Sequence, residues 1–94
     1  MRMTLLTEDE IAAGLGRAAG WERAGSAITR AVTLRDFRDA MLYAGAVAYL
    51  AEAANHHPDI TIQWNRVTLT LSTHSAGGLT GADFALAEQI SGLR

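Results

Sequence analysis

The chain has no cysteine and no lysine, a single proline and, among 94 residues, only two each of tryptophan, tyrosine and phenylalanine. Without cysteine there is no disulfide, no thiolate metal site and no cysteine nucleophile, and the composition suits a reducing compartment. Without lysine, positive charge rests on eight arginines scattered singly from Arg2 to Arg94, and the net charge is −2. No basic stripe tracks a phosphate backbone, so nucleic acid is not an expected partner. No apolar run reaches membrane-span length, and Met1 to Leu6 lack the apolar centre of a secretory leader before Glu8, Asp9 and Glu10. The expectation is a cytoplasmic domain without membrane contact.

Hydrophobic residues make up 49% of the chain, but much of that share is alanine, which buries little area per residue. A single domain over residues 1–94 is expected, and a chain this short buries roughly 60–65% of its unfolded surface. Self-association would supplement that core.

Three times a threonine stands three residues before an acid at the head of a helix-compatible stretch: Thr7 and Glu10, Thr33 and Asp36, Thr80 and Asp83. Each pair reads as a capping box, the hydroxyl accepting from a first-turn amide and the acid reaching back to complement the positive helix end. The first helix is expected over Glu8 to Ala19, burying Ile11 and Leu15, with Gly14 and Gly16 weakening it and Gly20 stopping it. Two short strands, Trp21 to Ala24 and Ala27 to Val32, meet at Gly25-Ser26. A long helix over Leu34 to Asn55 carries Phe37, Met41, Ala44, Val47 or Ala48, and Ala51 on one face. It has few polar positions, so a sheet is expected on one side and a neighbour on the other. Pro58 ends it.

Ile60, Ile62 and Trp64 then alternate with Thr61 and Gln63. After Asn65-Arg66, Val67, Leu69 and Leu71 alternate with Thr68, Thr70 and Ser72. This is a hairpin, and its parity places His74 with the threonines, away from the helices. Gly77-Gly78 forms a loop, and the last helix runs from Thr80 with Phe84, Ala87, Glu88 and Ile90 toward Gly92. The order α-β-β-α-β-β-α predicts an α+β fold: a four-stranded antiparallel sheet with three helices packed on one face. Its open edges and small core predict a homodimer or homotetramer.

The three histidines are His56, His57 and His74, the first two adjoining Pro58. Imidazole titrates near ~6.5 and serves as acid or base at neutral pH. No serine has nucleophile-elbow context, and adjacent histidines project in diverging directions, so neither acyl transfer nor a metal site is expected. Simpler roles stand beside each functional one. His56-His57-Pro58 can be a solvated helix cap, Glu52 can pair with His56 at i, i+4, and Asp83 has capping to do. Trp21 and Trp64 fit core or interface, and Gly77-Gly78 fits a turn.

Taken together, Glu52, His56-His57-Pro58, Trp64, Leu71-Ser72-Thr73-His74, Gly78-Leu79-Thr80 and Asp83 resemble the motif of the pterin-4a-carbinolamine dehydratase family. The resemblance extends from Trp21 through Ile28, Phe37 and the alanine-rich helix to Ala87. Asn55 departs from it, standing where members often carry an acid, as do Val32 and Leu34 at aromatic positions. The resemblance implies the same α+β fold, dimers or tetramers, and dehydration of a 4a-hydroxytetrahydropterin to quinonoid dihydropterin without metal or cofactor. It implies His56, His57 and His74 as the catalytic groups, His57 and His74 flanking the C4a–N5 edge while His56 binds and polarises. It implies substrate binding at Glu52, His56, His57, Pro58, Thr73, His74, Ser75 and Ala76, with Glu52 orienting a histidine and Asp83 in a structural or orienting role. The alternative it implies is a non-enzymatic dimerisation or assembly factor with a protein partner.

Overall fold

A computed structural model describes residues 4–93; Met1 to Met3, part of the segment read for a leader, and Arg94 lie outside the described residues. The first helix, α1 (Glu8–Arg17), opens on the Thr7–Glu10 capping box, with both reciprocal bonds made. Its last residue is Arg17, two short of the expectation, because Ala18 leaves helical geometry and Gly20 turns back at φ +87°. Gly14 is buried against Phe84, where a Cβ would stand 2.6 Å from the ring, so the residue that weakens α1 intrinsically also lets it close on the last helix. Ile11 is buried with it, while Leu15 is half-buried.

Strands β1 (Glu22–Ala24) and β2 (Ala27–Thr33) form the first hairpin. Strands β3 (Asp59–Gln63) and β4 (Arg66–Leu71) form the second, and all pairings are antiparallel in the order β1-β2-β4-β3. The second turn is Trp64-Asn65, one residue earlier than the alternation suggested. Asn65 is pinned there, its carbonyl accepting from Leu34 N at 2.7 Å and its amide donating to Leu34 O at 3.0 Å. Trp64 consequently takes φ +51° and is exposed rather than continuing β3. Register places Ile28 opposite Leu71, and Val32 opposite Val67, on one parity. These buried or half-buried side chains face the helices, while Thr29, Thr68 and Thr70 occupy the other parity.

Helix α2 (Phe37–Ala54) does not use the Thr33–Asp36 box. Thr33 ends β2 opposite Arg66, and Asp36 itself is the N-cap, its Oδ1 accepting from Asp39 N at 2.8 Å. The buried face is Ala40, Tyr43, Ala44, Val47 and Ala51, leaving Phe37 and Met41 exposed, contrary to the periodicity reading. Apolar residues ring this helix, so more than one register satisfies a 3.6-residue period; alanines win the sheet side because they permit close approach. The last helix, α3 (Gly81–Ser91), opens on the Thr80–Asp83 capping box as expected and buries Phe84, Leu86, Ala87 and Ile90, while Glu88 is exposed. Together the three helices and four strands form the predicted α+β arrangement in the order α-β-β-α-β-β-α. No helix among the described residues is long and apolar enough to cross a membrane.

Candidate active site

The site begins where α2 stops. Asn55 takes left-handed geometry (φ 50°, ψ 43°), a conformation asparagine tolerates better than most residues, and His56 N still donates to Ala51 O at 3.1 Å. This ending gives the Asn55 departure a local reason: the position needs a residue that adopts αL. It also redirects the next two side chains. His56 turns toward α3 and brings Nε2 within 2.6 Å of Asp83 Oδ1, with its side chain 14% exposed and Asp83 fully buried. His57 faces solvent and places Nε2 2.6 Å from Glu52 Oε2. The pairing of Glu52 is therefore with His57, and the i, i+4 alternative to His56 is not formed.

The second half of the site follows β4. The strand ends at Leu71, and His74 begins a short 3-10 turn, His74–Ala76, so strand parity does not extend to it. Thr73 anchors that turn through a bridge to Gly78: its N–H donates to Gly78 O at 2.9 Å, and its carbonyl accepts from Ala76 N and Gly77 N, both at 3.0 Å. Gly77 closes the loop at φ +79°. His74 and Ser75 are exposed and Ala76 is half-buried, as is Pro58 at the entry to β3.

Asp83 joins the two halves. Its Oδ1 meets His56, while Oδ2 accepts from Thr73 Oγ1 at 2.8 Å and from Thr80 N at 2.9 Å. Thr73 Oγ1 also lies 2.8 Å from Thr80 Oγ1. A carboxylate inside the protein with three partners is well compensated, and its hydrogen bonds gain strength from low local dielectric. Asp83 thus completes the α3 capping box through Oδ2 and meets His56 through Oδ1. The hydroxyls of Thr73 and Thr80 were not anticipated as members of this network. The available signal was the capping box itself, since an acid that caps a buried helix start has a second oxygen to satisfy.

Two clefts elsewhere, about 380 Å³ beside Leu34, Leu42, Tyr43 and Leu93 and about 270 Å³ between α1 and α3, are not lined by histidine. At the histidine site His57 and His74 are exposed, whereas His56 is largely covered and Asp83 fully buried. Among the described residues no group of three or more histidine, aspartate or glutamate side chains is arranged to hold a metal ion.

The sequence profile of the family described as Pterin 4 alpha carbinolamine dehydratase matches residues 4–93. The chain belongs to this family. A family relative from Roseiflexus castenholzii, named "Putative pterin-4-alpha-carbinolamine dehydratase", is 55% identical over 86 residues, covering 92% of each chain. A crystal structure described as a transcriptional coactivator/pterin dehydratase from Brucella melitensis superposes with a TM-score of 0.85 at 37% identity, over 90% of this chain and 93% of the other. The fold is also similar, at 20% identity and a TM-score of 0.65, to a pterin dehydratase-like protein described as a RuBisCO assembly factor in the alpha-carboxysome, over 80% and 89% of the two chains.

Proposed function

We propose that this chain dehydrates a 4a-hydroxytetrahydropterin to quinonoid dihydropterin by histidine acid–base catalysis. The observation that carries the reading is the pair of adjacent imidazoles, His56 and His57, each with Nε2 held by a carboxylate. Such a partner fixes ring orientation and tautomer and leaves Nδ1 for the reaction. Family membership supports the same chemistry. In the reaction the C4a–O bond breaks and the hydroxyl leaves as water after receiving a proton. N5 gives up its proton as the C4a–N5 double bond forms. One acid and one base suffice, and His57 and His74, both exposed, are the groups offered to the C4a–N5 edge, with His56 binding and polarising. The turn from His74 to Ala76, with Thr73 behind it, and the stretch Glu52 to Pro58 supply the binding surface.

Spectroscopic assay of a synthetic 4a-hydroxytetrahydropterin tests this. His57→Ala and His74→Ala are each expected to lower kcat/KM by about 10²–10⁴-fold. Wild-type rates in both variants would refute the mechanism.

A second reading, a partner-binding or assembly role, draws on one feature: α2 exposes Phe37, Met41, Leu42 and Tyr49 on its outer side. Relatives of this fold are described as a coactivator and as an assembly factor. Recovery of a stoichiometric partner that still binds the His57→Ala variant would favour that role, and it is compatible with catalysis.

A further inference from the structure

The hydrogen bonds around Asp83 have a direction that the residue identities determine. Thr80 Oγ1 is the helix cap and accepts from Ala82 N at 3.2 Å and from the Asp83 amide. Its lone pairs are thereby occupied, and its proton is what it can offer to Thr73 Oγ1, 2.8 Å away. Thr73 in turn donates to Asp83 Oδ2. Thr80 N–H donates to the same oxygen. With Oδ2 taking two donors, Oδ1 is the oxygen left to His56 Nε2 at 2.6 Å, and an acceptor there calls for the imidazole proton on Nε2.

We propose that the Thr80–Thr73 hydroxyl pair is a positioning relay that sets the tautomer of His56 through Asp83. Donation runs from Thr80 Oγ1–H to Thr73 Oγ1 and from Thr73 Oγ1–H to Asp83 Oδ2, while the Nε2–H of His56 donates to Asp83 Oδ1, so the two arms converge on one carboxylate. Donation from Thr80 strengthens the Thr73 donor, and with Oδ2 so occupied Asp83 turns Oδ1 to the imidazole, whose Nδ1 is left as an acceptor directed away from the carboxylate. The relay also couples the two halves of the site, since Thr73 is the residue before His74 and carries the backbone of its loop. Neither hydroxyl touches the reacting atoms. Their part is to keep one nitrogen of His56 in one state.

The kinetic side of the test rests on the dehydratase reading; the spectroscopic side does not. Nitrogen-15 NMR of the histidine rings in the unmodified protein should show neutral His56 carrying its proton on Nε2, and a Thr73 hydroxyl proton exchanging slowly enough to be observed. Thr73→Val keeps the shape and removes the donor. It should raise the Nδ1–H population of His56 and lower kcat by about 10- to 100-fold, the worth of a hydrogen bond to a charged group, with KM changed less than about twofold. Thr73→Ser should restore both readouts. A Thr73→Val protein with the parental tautomer and kcat, or a serine variant no better than valine, would overturn the relay. If the valine variant does not fold, the unmodified protein still decides, because a rapidly exchanging Thr73 hydroxyl or an Nδ1–H ring on His56 also overturns it. Should the unmodified protein fail to dehydrate the pterin at all, the function reading fails while the tautomer result still judges the relay.

Discussion

Tyr43 stands on the buried face of α2 with its hydroxyl enclosed and making no hydrogen bond among the described residues. Burial pushes its phenol above the ordinary tyrosine value, with the nearby Arg30 cation pulling partly back. The folded pKa therefore stands above the unfolded one, so the contribution of Tyr43 to stability is complete below about pH 10 and is lost as pH rises through the raised value. With Tyr49 replaced by phenylalanine, Tyr43 is the sole phenol. Ultraviolet difference titration should then show ionisation above the ordinary range, with denaturant midpoints falling over that same pH window. Ionisation at the ordinary value with unchanged midpoints would contradict the burial argument. At this scale the sequence is informative only where chemistry is local. That Asp83 caps α3 was legible from Thr80 three residues away; that it also holds His56, 27 residues distant, was not, because no spacing rule links two side chains across the fold.

Among the elements, the two genuine capping boxes were read correctly because each is complete within four residues. The third was misread because threonine and aspartate are both good caps, and β2 pairing with β4 keeps Thr33 extended. The distinction is measurable. Asp36→Ala should destabilise the protein by about 1 kcal/mol in urea unfolding, whereas Thr33→Ala should lose no helix cap and change less. Equal losses would return the cap to Thr33. Strand alternation fared similarly: it located both strands of the second hairpin, but the turn moved by one residue because Asn65 binds Leu34, a contact made across the molecule. His74 shows the same limit, since periodicity carries no information beyond the last paired residue.

For the molecule as a whole, the exposed side of α2 is the feature a small core leaves unresolved. Leu42 is 67% and Tyr49 76% exposed, with Phe37 and Met41 nearby on the same helix. Burying such a face in a second copy would supply area that 94 residues cannot bury alone. Light scattering should therefore find an oligomer, and the double substitution Leu42→Glu and Tyr49→Glu should reduce it to a monomer with unchanged circular dichroism. A wild-type monomer would remove this interface. The α+β architecture was legible because element order and alternation are properties of short windows; the solvent-facing side of α2 was not, because alanine and larger apolar residues surround its axis.

Asp83 is at once the acid of the capping box in the first turn of α3 and the residue that grips His56. An opening of that first helical turn that displaces Asp83 removes the partner of His56 Nε2, so hydrogen-exchange protection at the start of α3 and the seating of the imidazole are expected to rise and fall together.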